Sequence, residues 1–189
     1  MTVLDQAPPA PPRAPRRALR GALARAIASD GESLLSWSER SPLLVVFLRH
    51  HGCTFCREAL SDIGARRREI EATGLTIVAV HMGTIEQGLA LLKREELHDV
   101  LQVSDPEQTL YQLFGLRRGR LAQLFNWFVV LRTLSATVRG HLAGRAIGDT
   151  SQMPGAFVVH RGEVVRAFRH KTAADRLDYV ALAEGSDVG

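Results

Sequence analysis

The chain has 189 residues, 46% hydrophobic and 23% charged, values of an ordinary globular protein whose length suits one domain with a real core. Its net charge is +4, from 24 Lys and Arg against 20 Asp and Glu. The basic excess gathers in the N-terminal arm and at Arg117–Arg118–Gly119–Arg120, not along an aromatic-interleaved stripe, so no nucleic-acid partner is expected.

Residues 1–15 carry Pro8, Pro9, Pro11, Pro12 and Pro15. Such a Pro- and Arg-rich arm has little to bury and is expected to be extended. It lacks the apolar run of a secretory signal, which points to a cytoplasmic protein. Over residues 16–30, Leu19, Leu23 and Ile27 fall four apart beside Ala22 and Ala26, predicting a short amphipathic helix that Ser29–Asp30–Gly31 ends.

A globular domain is expected over residues 31–185. Leu43–Leu48 is a near-continuous apolar run after Pro42 and reads as a strand buried on both faces. Helical spacing follows over Cys53–Thr73, with Phe55, Ala59, Ile63 and Ile70 inward and Gly74 as the stop. Leu75–Val80 predicts a second strand with His81 at its exit. Thr84 and Gln87 form a capping-box pair for a helix to Glu95. Val100–Val103 reads as a third strand, and Ser104–Asp105–Pro106 starts a helix through Tyr111 and Phe114.

The stretch Leu121–Val138 holds Phe125, Trp127 and Phe128 but also Asn126 and Arg132. It is too short and interrupted to span a bilayer; a helical insertion over residues 120–140 is expected, covering the sheet or serving as a contact surface for a partner. Ala156–Val159 and Val164–Phe168 flank Arg161–Gly162, the signature of an antiparallel hairpin. Thr172–Ala183 predicts a final helix. The β-α-β-α-β order followed by a hairpin implies an α/β fold: a mixed sheet of three parallel strands plus a C-terminal antiparallel hairpin, flanked by helices.

The chemistry concentrates at Cys53 and Cys56, the chain's two cysteines. Three apart at a helix start, their Cα atoms stand roughly 5–6 Å apart, within disulfide reach. The free N–H groups and positive dipole end of the helix favour a thiolate there, and Arg49 and Arg57 add positive charge. Strand, turn, CxxC and helix within a βαβ pattern point to a redox dithiol. Haem attachment needs a histidine where Arg57 stands. His50 and His51 lie beside the cysteines in sequence and His81 leaves the next strand at the same sheet edge, but no second knuckle completes a metal site; neither metal nor cofactor is expected.

Three stretches, LLVVFLRHHGCTFCREAL, SDPEQTLYQLFGLRRG and GDTSQMPGAFVVHRGEVVRAFRHKTAADRLDYVAL, resemble the peroxiredoxin-like (redoxin) branch of the alkyl hydroperoxide reductase/thiol-specific antioxidant superfamily. The resemblance spans about residues 31–183. It implies a thioredoxin-like fold and a thiol-dependent antioxidant oxidoreductase cycling Cys53 and Cys56 between dithiol and disulfide. A peroxide or disulfide would be the substrate and a cellular thiol the reductant. A disulfide reductase without peroxidase activity and a non-catalytic interaction module are the alternatives.

It also implies that Met153–Pro154 is a cis peptide facing the cysteines, which makes Pro154, with Thr54, Phe55 and Arg57 beside the thiols, a candidate substrate-binding residue. Conventional peroxiredoxins carry Pro-x-x-x-Thr/Ser-x-x-Cys; aligned on Cys56, Arg49 takes the proline position and Cys53 that of the threonine. Analogy with thioredoxin makes Cys53 the attacking sulfur, and analogy with peroxiredoxin makes it Cys56. The oligomeric state is left open.

Overall fold

The computed structural model describes residues 15–49, 53–116, 151–170 and 175–185. The arm to residue 14, His50, His51, Arg117–Arg120 and the expected insertion at 120–140 lie outside these. The elements run α1 Arg16–Arg25, α2 Leu34–Arg40, β1 Leu43–Phe47, α3 Thr54–Ala65, α4 Arg67–Ala72, β2 Thr76–His81 and α5 Ile85–Arg94. They continue with β3 Leu101–Ser104, α6 Thr109–Leu113, β4 Gly155–His160, β5 Glu163–Arg169 and α7 Tyr179–Glu184.

The five strands form one sheet in the order β3-β2-β1-β4-β5. β1 and β2 pair in parallel, as do β2 and β3; β1–β4 and β4–β5 are antiparallel. This is the expected mixed sheet, with β1 at its centre. The continuous apolar run of β1 is required because both its faces are covered. Leu44, Val46 and Leu48 pack with Leu60, Ile63, Ile70, Tyr179 and the two cysteines on one side. Leu43, Val45 and Phe47 pack with Leu19, Leu23, Leu34, Tyr111 and Phe114 on the other. Alternation along the strand thus divides the core into a cysteine face and an aromatic face.

On the aromatic face the rings of Phe47, Tyr111, Phe114 and Phe157 sit 4.9–5.5 Å apart, edge-on or tilted. The Tyr111 hydroxyl donates to the carbonyls of Leu48 (2.6 Å) and Val80 (3.1 Å). It therefore ties the ends of β1 and β2 together next to the residues that lead into the cysteine helix.

Local signals formed as expected where short-range chemistry decides. Thr84 and Gln87 make the reciprocal capping box of α5. Arg161 (φ 52°) and Gly162 (φ 73°) form the two-residue turn between β4 and β5, both in the left-handed region that a type I′ hairpin requires. Ser38 of α2 holds this turn, its carbonyl accepting from Arg161 N–H (2.7 Å) and its hydroxyl from Gly162 N–H (3.0 Å).

Other expectations need correction. Cys53–Thr73 is two helices, because Arg66 leaves helical geometry (φ −111°, ψ 16°); its guanidinium bridges Glu69 and Asp178 there. The helix after β3 starts only at Thr109, since the Asp105 carboxylate accepts the N–H groups of Thr109, Leu110 and Tyr111. The last helix starts at Tyr179, where Asp178 caps the N–H groups of Val180 and Ala181. Helix α2 was not anticipated; Ser33, which accepts from Ser36 N–H, was its available signal.

His81 ends β2 fully buried, its ring bonded by the Gly83 carbonyl (3.1 Å) and the Gln102 amide (2.8 Å). It serves the packing beneath α5. A Cβ on Gly88 would stand 2.0 Å from His81 Nε2 and 2.1 Å from Gln102 Oε1. Gly88→Ala is therefore expected to lower stability by about 1–3 kcal/mol, read as a lower urea midpoint at unchanged m.

Candidate active site

The path from sequence to site is short. β1 exits the sheet at Leu48–Arg49, and the chain returns at Cys53, the N-cap residue of α3, with Cys56 in the first turn. Both cysteines are buried and unbridged, 4% and 3% exposed. The Arg49 backbone N–H donates to Cys56 Sγ (3.1 Å), and its guanidinium Nη1 stands 3.8 Å from Cys53 Sγ.

Several groups favour an anion at Cys53: the Cys56 side chain beside it is the largest cause, Arg49 adds positive charge, and the N–H groups of Cys56 and Phe55 assist. Together they outweigh burial and hold the Cys53 thiol down from 9.0 to about 6. Hydrogen bonds and opposite charge favour the anion, whereas burial alone would disfavour it. The surroundings of Cys53 thus favour its thiolate over its thiol.

The cysteines open onto a pocket of about 530 Å³, measured out to its solvent mouth. Its apolar wall includes Leu48, Phe55, Ala59, Leu177 and Tyr179, and polar groups come from Glu58, Asp62, His170, Asp175 and Arg176. Glu58, buried on α3, is ion-paired with Arg176. Burial drives the Tyr179 phenol well above its ordinary range, so it stays neutral. His170 lies at the end of β5, and burial depresses its imidazole to about 4, partly opposed by Asp175.

Of the residues anticipated here, Cys53, Cys56, Phe55 and Pro154 line this pocket. Thr54 is buried at the start of α3, outside the lining. Arg57 is directed elsewhere, forming a 3.4 Å ion pair with Glu95 at the end of α5. The Met153–Pro154 bond is trans, since no described peptide bond is cis; even before proline the trans form keeps an advantage of roughly 0.5–1 kcal/mol.

Glu58, His170, Asp175 and Arg176 were not anticipated. For His170 a signal existed. Period-2 alternation extended past Phe168 puts it on the same face as Phe168, which packs on the cysteine side, and the two rings meet edge-on at 5.1 Å. The other three come together only through docking of the segment before α7 onto α3.

The profile described as AhpC/TSA antioxidant enzyme matches residues 62–172, more than half of the chain, beginning just after the cysteine pair. Prostamide/prostaglandin F synthase of Salmo salar is 22% identical over 165 residues, covering 86% of this chain and 81% of that protein. Thioredoxin-like protein AAED1, chloroplastic, of Arabidopsis thaliana is 22% identical over 105 residues, 56% of this chain and 41% of that one.

Among solved structures, peroxiredoxin Q of Xanthomonas campestris superposes with a TM-score of 0.56 at 16% identity, over 87% of this chain and 89% of that one. Peroxidoxin BcpB of Mycobacterium tuberculosis gives 0.56 at 13%, over 85% and 86%. No described helix is long and apolar enough to cross a membrane. A match over more than half of the chain, on a fold shared with these peroxiredoxins, makes this protein a member of the AhpC/TSA antioxidant enzyme family, which comprises thiol-dependent oxidoreductases.

Proposed function

We propose that the protein is a cytoplasmic peroxide reductase in which Cys53 attacks and Cys56 resolves. The Cys53 thiolate displaces an alkoxide or hydroxide from the peroxide, becoming a sulfenic acid, and the leaving group takes up a proton. Cys56 then attacks the sulfenic sulfur and forms the Cys53–Cys56 disulfide, and water leaves. A cellular dithiol, itself oxidised to its disulfide, returns both cysteines to the reduced state. Neighbouring positions on one helix turn let this bridge close with little backbone movement.

The observation that carries this reading is that Arg49 reaches both sulfurs at the head of α3, its N–H donating to Cys56 and its guanidinium standing 3.8 Å from Cys53. The guanidinium charge beside Cys53 favours a thiolate there, which supports Cys53 as the nucleophile and Cys56 as the resolving thiol. One equivalent of peroxide added to Cys56→Ser protein should leave a trappable sulfenic acid on Cys53, seen by mass spectrometry. Oxidation confined to Cys56 in Cys53→Ser protein would reverse the roles, and no oxidation in either would remove the peroxide reading.

A second reading is favoured by a specific departure: Arg49 and Cys53 stand where peroxiredoxins keep proline and threonine. A protein disulfide reductase uses the same thiolate on a disulfide sulfur. Turnover of a protein disulfide at least as fast as of hydrogen peroxide, with the same reductant, selects it.

A further inference from the structure

The resolving step moves one proton from Cys56 to the leaving hydroxide. Cys56 must lose its proton to attack, and the hydroxide leaving Cys53 must gain one. His170 lines the same pocket as both sulfurs, and its Nδ1 is buried without a hydrogen-bond partner, a costly condition for a polar atom.

The sheet places this ring. The His170 backbone N–H donates to the Pro154 carbonyl (3.4 Å), and the next pair along, Gly155, is opposite both Phe47 of β1 and Arg169 of β5. Extended by one residue, that register lines up Leu48, Pro154 and His170 across three strands on the cysteine face. Two strand spacings span about 10 Å, and the ring lines the same pocket as both sulfurs.

With Nδ1 unpartnered, the neutral ring that carries its proton on Nε2 leaves the Nδ1 lone pair uncommitted.

We propose that the Nδ1 lone pair of His170 is the proton relay of the resolving step. It accepts the Cys56 S–H proton as Cys56 attacks and delivers it to the hydroxide leaving the Cys53 sulfenic acid, so that disulfide and water form together. The balance is complete: one S–S bond forms, one S–O bond breaks, and the proton ends on water.

This assignment rests on the peroxide reading, and one experiment separates the two. Native protein, His170→Gln and His170→Ala are mixed rapidly with hydrogen peroxide, and sulfenic acid and disulfide are followed by trapping and mass spectrometry. Native protein should form sulfenic acid at Cys53 and close the disulfide more slowly in D₂O than in H₂O. Both variants should form sulfenic acid at the native rate, close about 10²-fold more slowly and keep the native melting temperature; free imidazole should restore part of the closure rate in His170→Ala. Closure at the native rate in both variants, or no solvent isotope effect in native protein, overturns the relay and leaves the peroxide reading standing. Failure of native protein to form sulfenic acid overturns both.

Discussion

Cys53→Ser protein should show no turnover above background with peroxide or with a disulfide acceptor, while its melting temperature stays near the native value. A serine hydroxyl keeps the shape of the N-cap side chain and can itself cap a helix, but it supplies no anion at neutral pH. The pH dependence makes the expectation sharper. Since the Cys53 thiol is held at about 6, alkylation by iodoacetamide in native protein should rise with pH through an inflection near 6 and level off above 7.

Arg49→Met removes one of the causes of that depression and should move the inflection upward, toward the ordinary 9.0. A single inflection near 9 in native protein would contradict the thiolate assignment. The linkage sign is also determined. A thiol depressed in the folded state stabilises the reduced protein above the unfolded value near 9, and this contribution is lost as pH falls from there through about 6. Between pH 9 and 6 the reduced protein should therefore lose stability through this group.

Phe157→Ala should have the largest effect on stability, about 3–5 kcal/mol, read from the urea midpoint. Phe157 is fully buried. It packs edge-on against Phe47 and Phe114, and the Arg169 guanidinium lies 4.8 Å over its ring. That loss is a large part of the roughly 5–15 kcal/mol that holds a domain together. The Cys53 inflection should nevertheless stay near 6 in whatever fraction remains folded, because Phe157 lies on the face of the sheet opposite the cysteines. A Cys53 inflection displaced along with the stability would show that the two faces are not independent.

These expectations depend on features of different legibility. The β1 run, the CxxC pair at a helix start, the Thr84–Gln87 capping box and the Arg161–Gly162 turn were readable from sequence, because each is decided by residues within a few positions of one another. The apolar continuity of β1 likewise announced burial on both faces. The dithiol could be located on those grounds alone, along with its disulfide reach and the helix-start contribution to a thiolate.

Tertiary packing decided what lies around the pair. Thr54 and Arg57 are next to the cysteines in sequence, yet helical rotation buries the one outside the pocket lining, and Glu95, 38 residues on, draws the other away. Glu58 and Arg176 meet across 118 residues, and His170 enters because β5 runs antiparallel to β4 and ends beside Pro154. The break at Arg66 and the late start of the last helix follow from side chains that join the two, Arg66 and Asp178. Such contacts depend on which elements become neighbours in the sheet and on which face each side chain emerges, and neither is a property of any short stretch of chain. The sequence by itself determined where the sulfur chemistry resides; the tertiary structure decided which residues share its pocket.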